Sequence, residues 1–198
     1  MTARPQHLLI MARQPRIGRV KTRLGAGIGA MEATRAYRVM LAETVRRLSA
    51  DPRWQTWIAV CGVHEFHSTI WPQDVHLIDQ GQGNLGHRMQ CMFDTLPTGP
   101  VVIIGSDIPG IECCDIANGF AALGESDAVF GPAPDGGYWL VGQARRRNVI
   151  RLFDNVRWSS EQALADTMAN LNGRSVMMLR QLADVDDAAS YRDWLKSR

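Results

Sequence analysis

The sequence predicts an α/β fold in which helices cover both faces of a mostly parallel sheet. Short apolar runs, typical of buried strands, alternate along the chain with amphipathic stretches that are typical of helices. The clearest run, residues 100–105 (PVVIIG), is continuously apolar, as expected for a strand that is buried on both faces. The chain has 198 residues and no repeat, low-complexity tract or linker, so one domain over residues 1–198 is expected.

Strands are expected wherever a short apolar run is bounded by Gly, Pro or polar residues. These runs cover residues 7–12, 54–61, 75–78, 100–105, 127–131, 137–142 and 175–179. The Pro/Gly-rich corner over residues 131–137 is too short to hold a crossover helix. One local antiparallel pair is therefore expected at that corner.

Helices are expected where apolar residues recur every three or four positions. The strongest such pattern covers residues 30–49 and ends before Asp51-Pro52. Similar patterns predict helices over residues 84–96, 112–123, 159–171 and 187–195. Residues 13–29 hold four glycines and five basic residues, which predicts a loop.

Composition excludes several classes of protein. The net charge of +2 is too small for the basic face of a general nucleic-acid binder, so no nucleic-acid partner is expected. No window approaches the roughly 18 apolar residues of a membrane span, and the N-terminal apolar run is too short for a signal peptide. The four cysteines show no metal-ligand spacing, which is typical of reduced thiols. We expect a cytoplasmic protein with no membrane span.

The loop after the first strand is a candidate phosphate site, because ligands of open α/β sheets bind beyond the carboxyl ends of the strands. Glycines let the backbone approach an anion, and Lys and Arg supply charge and hydrogen bonds. The candidates are Arg13, Gly18, Lys21 and Arg23. The alternative is a solvated basic loop. The motifs of Walker ATPases and dinucleotide enzymes are missing, which disfavours both classes.

Two aspartates follow other strands of the predicted sheet. Asp107, in the stretch GSDIP, comes after the clearest strand, where a carboxylate is well placed to hold Mg²⁺ against phosphate oxygens. Capping of the next helix or turn is the alternative. Asp135, in PDGGYW, presents a carboxylate on a tight turn, although an Asp-Gly hairpin turn needs no function.

Two further segments carry polar residues before predicted helices. Gly83 and Arg88 belong to a glycine-rich stretch that could line a nucleotide pocket or simply start a helix. Asp184 and Asp186 belong to DVDD before the last helix, where acidic residues are also favoured by the helix dipole.

Taken in order, KTRL, GSDIP, PDGGYWLVG, WSS and DVDD resemble the small GT-A-fold proteins. In particular, the chain resembles the bacterial group described as uncharacterised glycosyltransferase-like or nucleotide-diphospho-sugar transferase-like proteins. The resemblance covers roughly residues 7–195, and its most specific stretches are GSDIP and DGGYWLVG. A more distant likeness is to guanylyltransferases of the 2-phospho-lactate and molybdenum-cofactor types.

The resemblance implies a single-domain GT-A fold that binds a nucleotide or nucleotide-sugar with Mg²⁺ or Mn²⁺. Carried over by position, Lys21 and Arg23 would hold the phosphates, and Asp107 would bind the metal. Asp186 would be the second metal ligand, with Asp184 as the second choice. Asp135 and Lys21 are the expected catalytic residues. Lys21 would neutralise charge on the diphosphate. Asp135 would bind or deprotonate a small-molecule acceptor in glycosyl transfer, or orient the substrate in nucleotidyl transfer.

The reaction class stays open at this point. Glycosyl transfer from a nucleotide-diphospho-sugar is favoured because DGGYW is the more specific match. However, the single Asp of GSDIP, in place of Asp-x-Asp, is the pattern of nucleotidyltransferases, which join an NTP to a small phosphorylated substrate and release pyrophosphate. A third alternative is a nucleotide-binding module without catalytic activity.

Overall fold

The computed structural model describes residues 4–198, in which strands and helices alternate as the sequence predicts. The strands are β1 (His7–Met11), β2 (Gln55–Val60), β3 (His76–Asp79), β4 (Val101–Ile104), β5 (Ala128–Pro132), β6 (Tyr138–Gln143) and β7 (Val176–Met178). The helices are α1 (Thr22–Ile28), α2 (Ala30–Ser49), α3 (Leu85–Thr95), α4 (Cys113–Glu125), α5 (Ala163–Ala169) and α6 (Ala188–Lys196), with a short 3-10 helix at Val63–His67.

The strands form one sheet in the order β3-β2-β1-β4-β6-β5-β7. Strand β6 runs antiparallel to both β4 and β5, and the other neighbouring strands pair in parallel. The expected antiparallel pair is therefore confirmed, and β6 makes a second one with β4. Because β6 is reversed, its first residue, Tyr138, lies at the edge where β4 and β5 end.

The central strands are apolar at every position because each face of the sheet packs into a core. In β4, Val102 and Ile104 join the core on one face, whereas Val101 and Ile103 join the core on the other. All four side chains are at most 2% exposed. This arrangement confirms the sequence interpretation of residues 100–105 as a strand buried on both faces.

Helices cover the two faces unequally. Buried residues of α1, α2, α4 and α6 join the core that contains Val102 and Ile104. Those of α3 join the core on the other face, which contains Val101 and Ile103, together with Leu164 and Met168 of α5. Helix α2 has the predicted bounds, and its buried residues recur every three or four positions. The strong apolar period of this segment explains why its bounds could be read from sequence.

The loop predicted over residues 13–29 is wrong for its second half, where α1 spans Thr22–Ile28. One glycine there serves close packing. A Cβ on Gly27 would lie 2.9 Å from the Cβ of Ala188 in α6, whereas one on Gly25 would make only an ordinary contact, 3.5 Å from the Cα of Ala30 in α2. Tertiary packing thus overrides the low helix propensity of glycine.

The helix predicted over residues 159–171 is also shorter than expected, because α5 begins only at Ala163. Ser159 has a left-handed backbone with φ of 58°, which excludes it from a right-handed helix.

None of the helices within residues 4–198 combines the length and the hydropathy that crossing a membrane requires.

Candidate functional site

A cavity of about 500 Å³ opens where β1 and β4 end. Its charged lining consists of four cations and two carboxylates, so we call it the charged cavity. These side chains are Arg13, Arg19, Lys21, Arg23, Asp107 and Asp186. The volume lies within the range of small-molecule sites, roughly 300–1,000 Å³.

The ammonium of Lys21 lies between two carboxylates of the charged cavity. Its Nζ is 2.6 Å from Oδ2 of Asp107 and 3.3 Å from Oδ1 of Asp186. Arg23 contacts the other oxygen of Asp186, with Nη1 2.9 Å from Oδ2. The Lys21 side chain is only 5% exposed, whereas that of Arg23 is 76% exposed. Three segments that are distant in sequence therefore meet through one buried cation.

The backbone and the pKa of Lys21 both reflect this position. Lys21 adopts a left-handed conformation (φ 48°, ψ 48°) immediately before α1, which is uncommon for a residue with a side chain. Burial by itself would lower the pKa of the ammonium. Asp107, which contributes both charge and a hydrogen bond, and then Asp186 outweigh burial and hold the pKa above its ordinary value. Lys21 is thus kept charged at neutral pH.

The turn that carries Asp107 is fixed from both sides. Ser106 hydrogen-bonds through Oγ to the hydroxyl of Tyr37 in α2, at 2.9 Å. The backbone N–H of Val185 donates to the carbonyl of Asp107 at 3.1 Å. The Tyr37 hydroxyl also accepts from the backbone N–H of Arg13 at 3.0 Å. These bonds connect the turn after β4 with the segment after β1 and with the segment before α6.

A second cavity, of about 300 Å³, adjoins the charged cavity and shares Met11, Gly105 and Asp107 with it. Most of its wall is apolar or aromatic, so we call it the aromatic cavity. The large side chains of that wall include Leu85, Met89, Tyr138, Trp139 and Trp158. Its charged lining consists of the carboxylates Asp107, Asp135 and Asp184.

Asp135 lies on the corner between β5 and β6, where its Oδ1 accepts a hydrogen bond from the backbone N–H of Gly137 at 2.9 Å. This is the turn geometry that an Asp-Gly corner forms without any function. The corner is longer than a two-residue hairpin, however, and it turns the exposed carboxylate toward the aromatic cavity.

The corner depends on the glycine after Asp135. Gly136 has φ of 82°, and a Cβ there would overlap the backbone of Glu161. Gly136→Ala is expected to lower the free energy of unfolding by about 2 kcal/mol or more, because it adds left-handed strain to a steric clash. For a chain of this size the melting temperature should fall by about 4–8 °C, measured by thermal denaturation.

Gly124→Ala is the matched control for this substitution. Gly124 lies in α4, and a Cβ there would meet no atom within 4 Å. Ala should raise stability at Gly124 by about 0.5–1 kcal/mol, because Gly is the poorer helix former. Equal melting temperatures for the two variants would contradict the packing of the corner.

Asp184 differs from Asp107, Asp135 and Asp186 because its side chain makes no hydrogen bond or ion pair within residues 4–198. Burial, and then the nearby charge of Asp107, raise its pKa above the ordinary value. Its neighbour Asp187 caps α6 by accepting from the backbone of Ala189 and Ser190. Within DVDD, the helix-capping alternative therefore holds for Asp187, whereas Asp184 and Asp186 face the two cavities.

Three of the predicted nucleotide-binding residues do not line the charged cavity. Gly18 lies on an exposed turn with φ of 73°. Arg88 donates through Nε to the carbonyl of Gly83 at 3.0 Å and through Nη1 to Oε1 of Gln80 at 3.4 Å. Asn84 caps α3, so the helix-start alternative describes the local structure of this segment. A role of Gly18, Gly83 and Arg88 in nucleotide binding stays a prediction.

Sequence reasoning missed Tyr37 and Gln80, which both line the charged cavity. Tyr37 falls on the apolar face of the helix predicted over residues 30–49, but a buried tyrosine hydroxyl usually needs a hydrogen-bond partner, and that requirement is the available signal. Gln80 donates through Nε2 to the carbonyls of Ala12 and Ala59, at 2.9 and 2.7 Å. Nothing in the sequence pointed to that bond.

The residues present fit a divalent cation of the Mg²⁺ type. Within residues 4–198, no three His, Cys, Asp or Glu side chains are grouped to hold a metal. However, Asp107 and Asp186 converge on one positive charge, that of Lys21. Two carboxylates are sufficient for Mg²⁺ or Mn²⁺ when substrate phosphates and water supply the remaining ligands. A metal on this pair would require the Lys21 ammonium to move.

Solved structures share this fold. A protein from Desulfovibrio desulfuricans G20, provisionally named a nucleotide-diphospho-sugar transferase, matches with a TM-score of 0.87 and 28% identity over 97% of this chain and 87% of its own. CMP:2-keto-3-deoxy-manno-octonic acid synthetase, in complex with CTP, matches with a TM-score of 0.63 and 10% identity over 98% of each chain. Rv0371c of Mycobacterium tuberculosis H37Rv, in complex with manganese, matches with a TM-score of 0.59 and 14% identity over 98% of this chain and 100% of its own.

These likenesses define the chain as a protein with the nucleotide-diphospho-sugar transferase fold, which nucleotidyltransferases share, and support a transferase. A search of curated proteins gives no match. The profile of the DUF2064 family, described as uncharacterized proteins conserved in bacteria, matches residues 44–160, and the chain belongs to this family. The matched region includes Asp107 and Asp135 but not Lys21 or Asp186.

Proposed function

We propose that this protein transfers a glycosyl group from a nucleotide-diphospho-sugar to a small acceptor with the help of Mg²⁺ or Mn²⁺. The observation that supports the proposal most directly is that the charged cavity and the aromatic cavity meet at Asp107. A donor in the first cavity would then present its sugar to an acceptor in the second. The resemblance to nucleotide-diphospho-sugar transferases supports the same reaction.

The charged cavity would hold the diphosphate. Arg13, Arg19 and Arg23 are exposed there and carry guanidinium groups that match phosphate oxygens. Lys21 would add a buried positive charge, which attracts a phosphate more strongly than a solvated charge does because local screening is weak. These cations would neutralise the charge that accumulates on the diphosphate as the sugar leaves.

The bound divalent cation would supply Lewis-acid stabilisation of the diphosphate, with Asp107 and Asp186 as its protein ligands. In the transfer, the bond between the anomeric carbon and the β-phosphate oxygen breaks, and its electron pair leaves with the nucleoside diphosphate. A bond forms between the anomeric carbon and the acceptor oxygen. Asp135, exposed at the aromatic cavity, would accept the hydroxyl proton.

Nucleotidyl transfer is the second candidate. Two observations favour it: the single Asp in GSDIP, and the shared fold of CMP:2-keto-3-deoxy-manno-octonic acid synthetase. In that reaction a substrate oxygen attacks the α-phosphorus and pyrophosphate leaves. The same cations would then stabilise the leaving pyrophosphate, and Asp135 would orient the substrate.

Product analysis separates the two reactions. The protein is incubated with Mn²⁺ and panels of NTPs or nucleotide-sugars, with mixed small acceptors, and the released phosphates are quantified. We expect nucleoside diphosphate, with a release rate that falls about 10²–10⁴-fold in Asp135→Asn because the general base is lost. Pyrophosphate from an NTP would instead establish the second candidate. Asp154→Asn, on an exposed site outside both cavities, should release at the wild-type rate.

A further inference from the structure

The aromatic cavity has a charge distribution that restricts what it can bind. Asp107, Asp135 and Asp184 contribute three carboxylates to its wall, and no Lys, Arg or His is among the described residues that line it. The cations of the charged cavity do not line the aromatic cavity, and Lys21 is already paired with Asp107. A phosphate group in the aromatic cavity would therefore face three carboxylates without a cation in the wall to balance its charge.

The rest of the wall favours a ring or an apolar chain. Tyr138, Trp139 and Trp158 supply aromatic surface, and Leu85 keeps 48% of its area exposed beside them. The Trp158 ring packs against Gly86, and a Cβ added at Gly86 would lie 2.6 Å from a ring carbon. Large amphipathic rings of this kind bind the apolar face of a ligand while polar groups elsewhere fix its orientation.

Two carboxylates of the wall remain able to accept hydrogen bonds. The Asp184 side chain accepts no hydrogen bond from residues 4–198, and Asp135 uses one oxygen for the Gly137 N–H. The free oxygens of these two side chains can accept a hydrogen bond from a hydroxyl group of a ligand in place of water. The cavity thus combines an apolar surface with two acceptors that are suited to hydroxyl donors.

We infer that the aromatic cavity is the site of the second substrate, and that this substrate is an unphosphorylated small molecule with a hydroxyl group beside an apolar ring or chain. The inference rests on the proposed function, because it assigns the acceptor of that reaction. It is incompatible with the nucleotidyl-transfer alternative, because that reaction requires a phosphorylated substrate.

A matched pair of probes tests the inference. Phenyl β-D-glucopyranoside and its 6-phosphate differ only in the phosphate, and their affinities are measured by ligand-observed NMR without metal or nucleotide. We expect the neutral glycoside to bind at least tenfold more tightly than the phosphate. In Asp135→Lys the ratio should fall at least tenfold, because a cation replaces a carboxylate of the wall. Asp94→Lys, at an exposed position outside the aromatic cavity, should keep the wild-type ratio.

Two wall variants locate the binding site. Trp158→Ala should weaken the neutral glycoside at least tenfold, and Leu85→Ser, at a largely exposed position, gives the same test with less risk to folding. The inference is overturned if the phosphate binds as tightly as the neutral glycoside, if the glycoside does not bind, or if both wall variants leave its affinity unchanged. Because no nucleotide is present, these outcomes are independent of the product analysis, which tests the reaction itself.

Discussion

Lys21→Met is expected to reduce the rate of transfer on the order of 10³-fold. The substitution removes the buried cation but keeps the length of the side chain. Asp107 and Asp186 would then face each other, and Arg23, which is mostly exposed, would be left as the ion-pair partner of Asp186. The donor diphosphate would lose one of its positive charges and would approach two carboxylates that are no longer neutralised.

The same substitution should have two effects outside catalysis. Removing one member of a buried ion-pair network destabilises the protein, here by about 1–3 kcal/mol because the two carboxylates are partly exposed. It should also strengthen the binding of Mn²⁺ alone, since the carboxylate pair no longer holds an ammonium. Steady-state rates, denaturant unfolding and Mn²⁺ titration followed by electron paramagnetic resonance measure the three effects.

Lys196→Met is the control, because Lys196 is the other lysine of the chain and makes an exposed ion pair with Asp193. It should leave rate, stability and Mn²⁺ affinity close to those of the wild type. A Lys21→Met protein that keeps its rate would refute the role of the buried cation.

Asp107→Asn is expected to lower the rate on the order of 10³-fold as well, although by a different route. The amide keeps the size of the side chain but removes the charge that would hold the divalent cation. In wild type, a nucleotide with Mn²⁺ should raise the melting temperature more than the nucleotide alone, because both ligands bind the folded state. In the variant, the part of the increase that depends on Mn²⁺ should disappear.

Asp94→Asn controls for the loss of one carboxylate, since Asp94 is half exposed and outside both cavities. An Asp107→Asn protein with unchanged turnover would rule out metal-dependent catalysis at this aspartate. If no substrate panel gives turnover but nucleotides still stabilise the wild type, the alternative of a nucleotide-binding module without activity is favoured instead.

Much of the fold was predictable because the signals were local. The continuous apolar run of β4 and the period of α2 each follow from burial that is visible within a few successive residues. Helix α1 was missed because glycine has two physical uses, backbone freedom and close approach. The sequence does not distinguish them, since the atom that Gly27 approaches belongs to Ala188.

The candidate site was predictable only in part: the sequence pointed to Lys21, Asp107 and Asp186, which line the charged cavity, but not to the contacts between them. The carboxyl ends of parallel strands meet at one edge, which explains why Lys21 and Asp107 were expected to lie near each other. The direct ion pair between Lys21 and Asp186 was not expected, because these two residues are 165 positions apart in the chain. Long-range pairs leave no periodic pattern in a single sequence. The wall of the aromatic cavity around Trp158 could not be predicted for the same reason, since its residues come from separate segments of the chain.

The reversed direction of β6 has a consequence for how this scaffold can diversify. Because β6 starts where β4 and β5 end, the short corner over residues 133–137 borders the aromatic cavity but not the charged one. Insertions or exchanges within that corner would therefore reshape the aromatic cavity and leave the charged cavity intact. Under the proposed function, a change in this one loop would alter the choice of acceptor while the donor stayed the same.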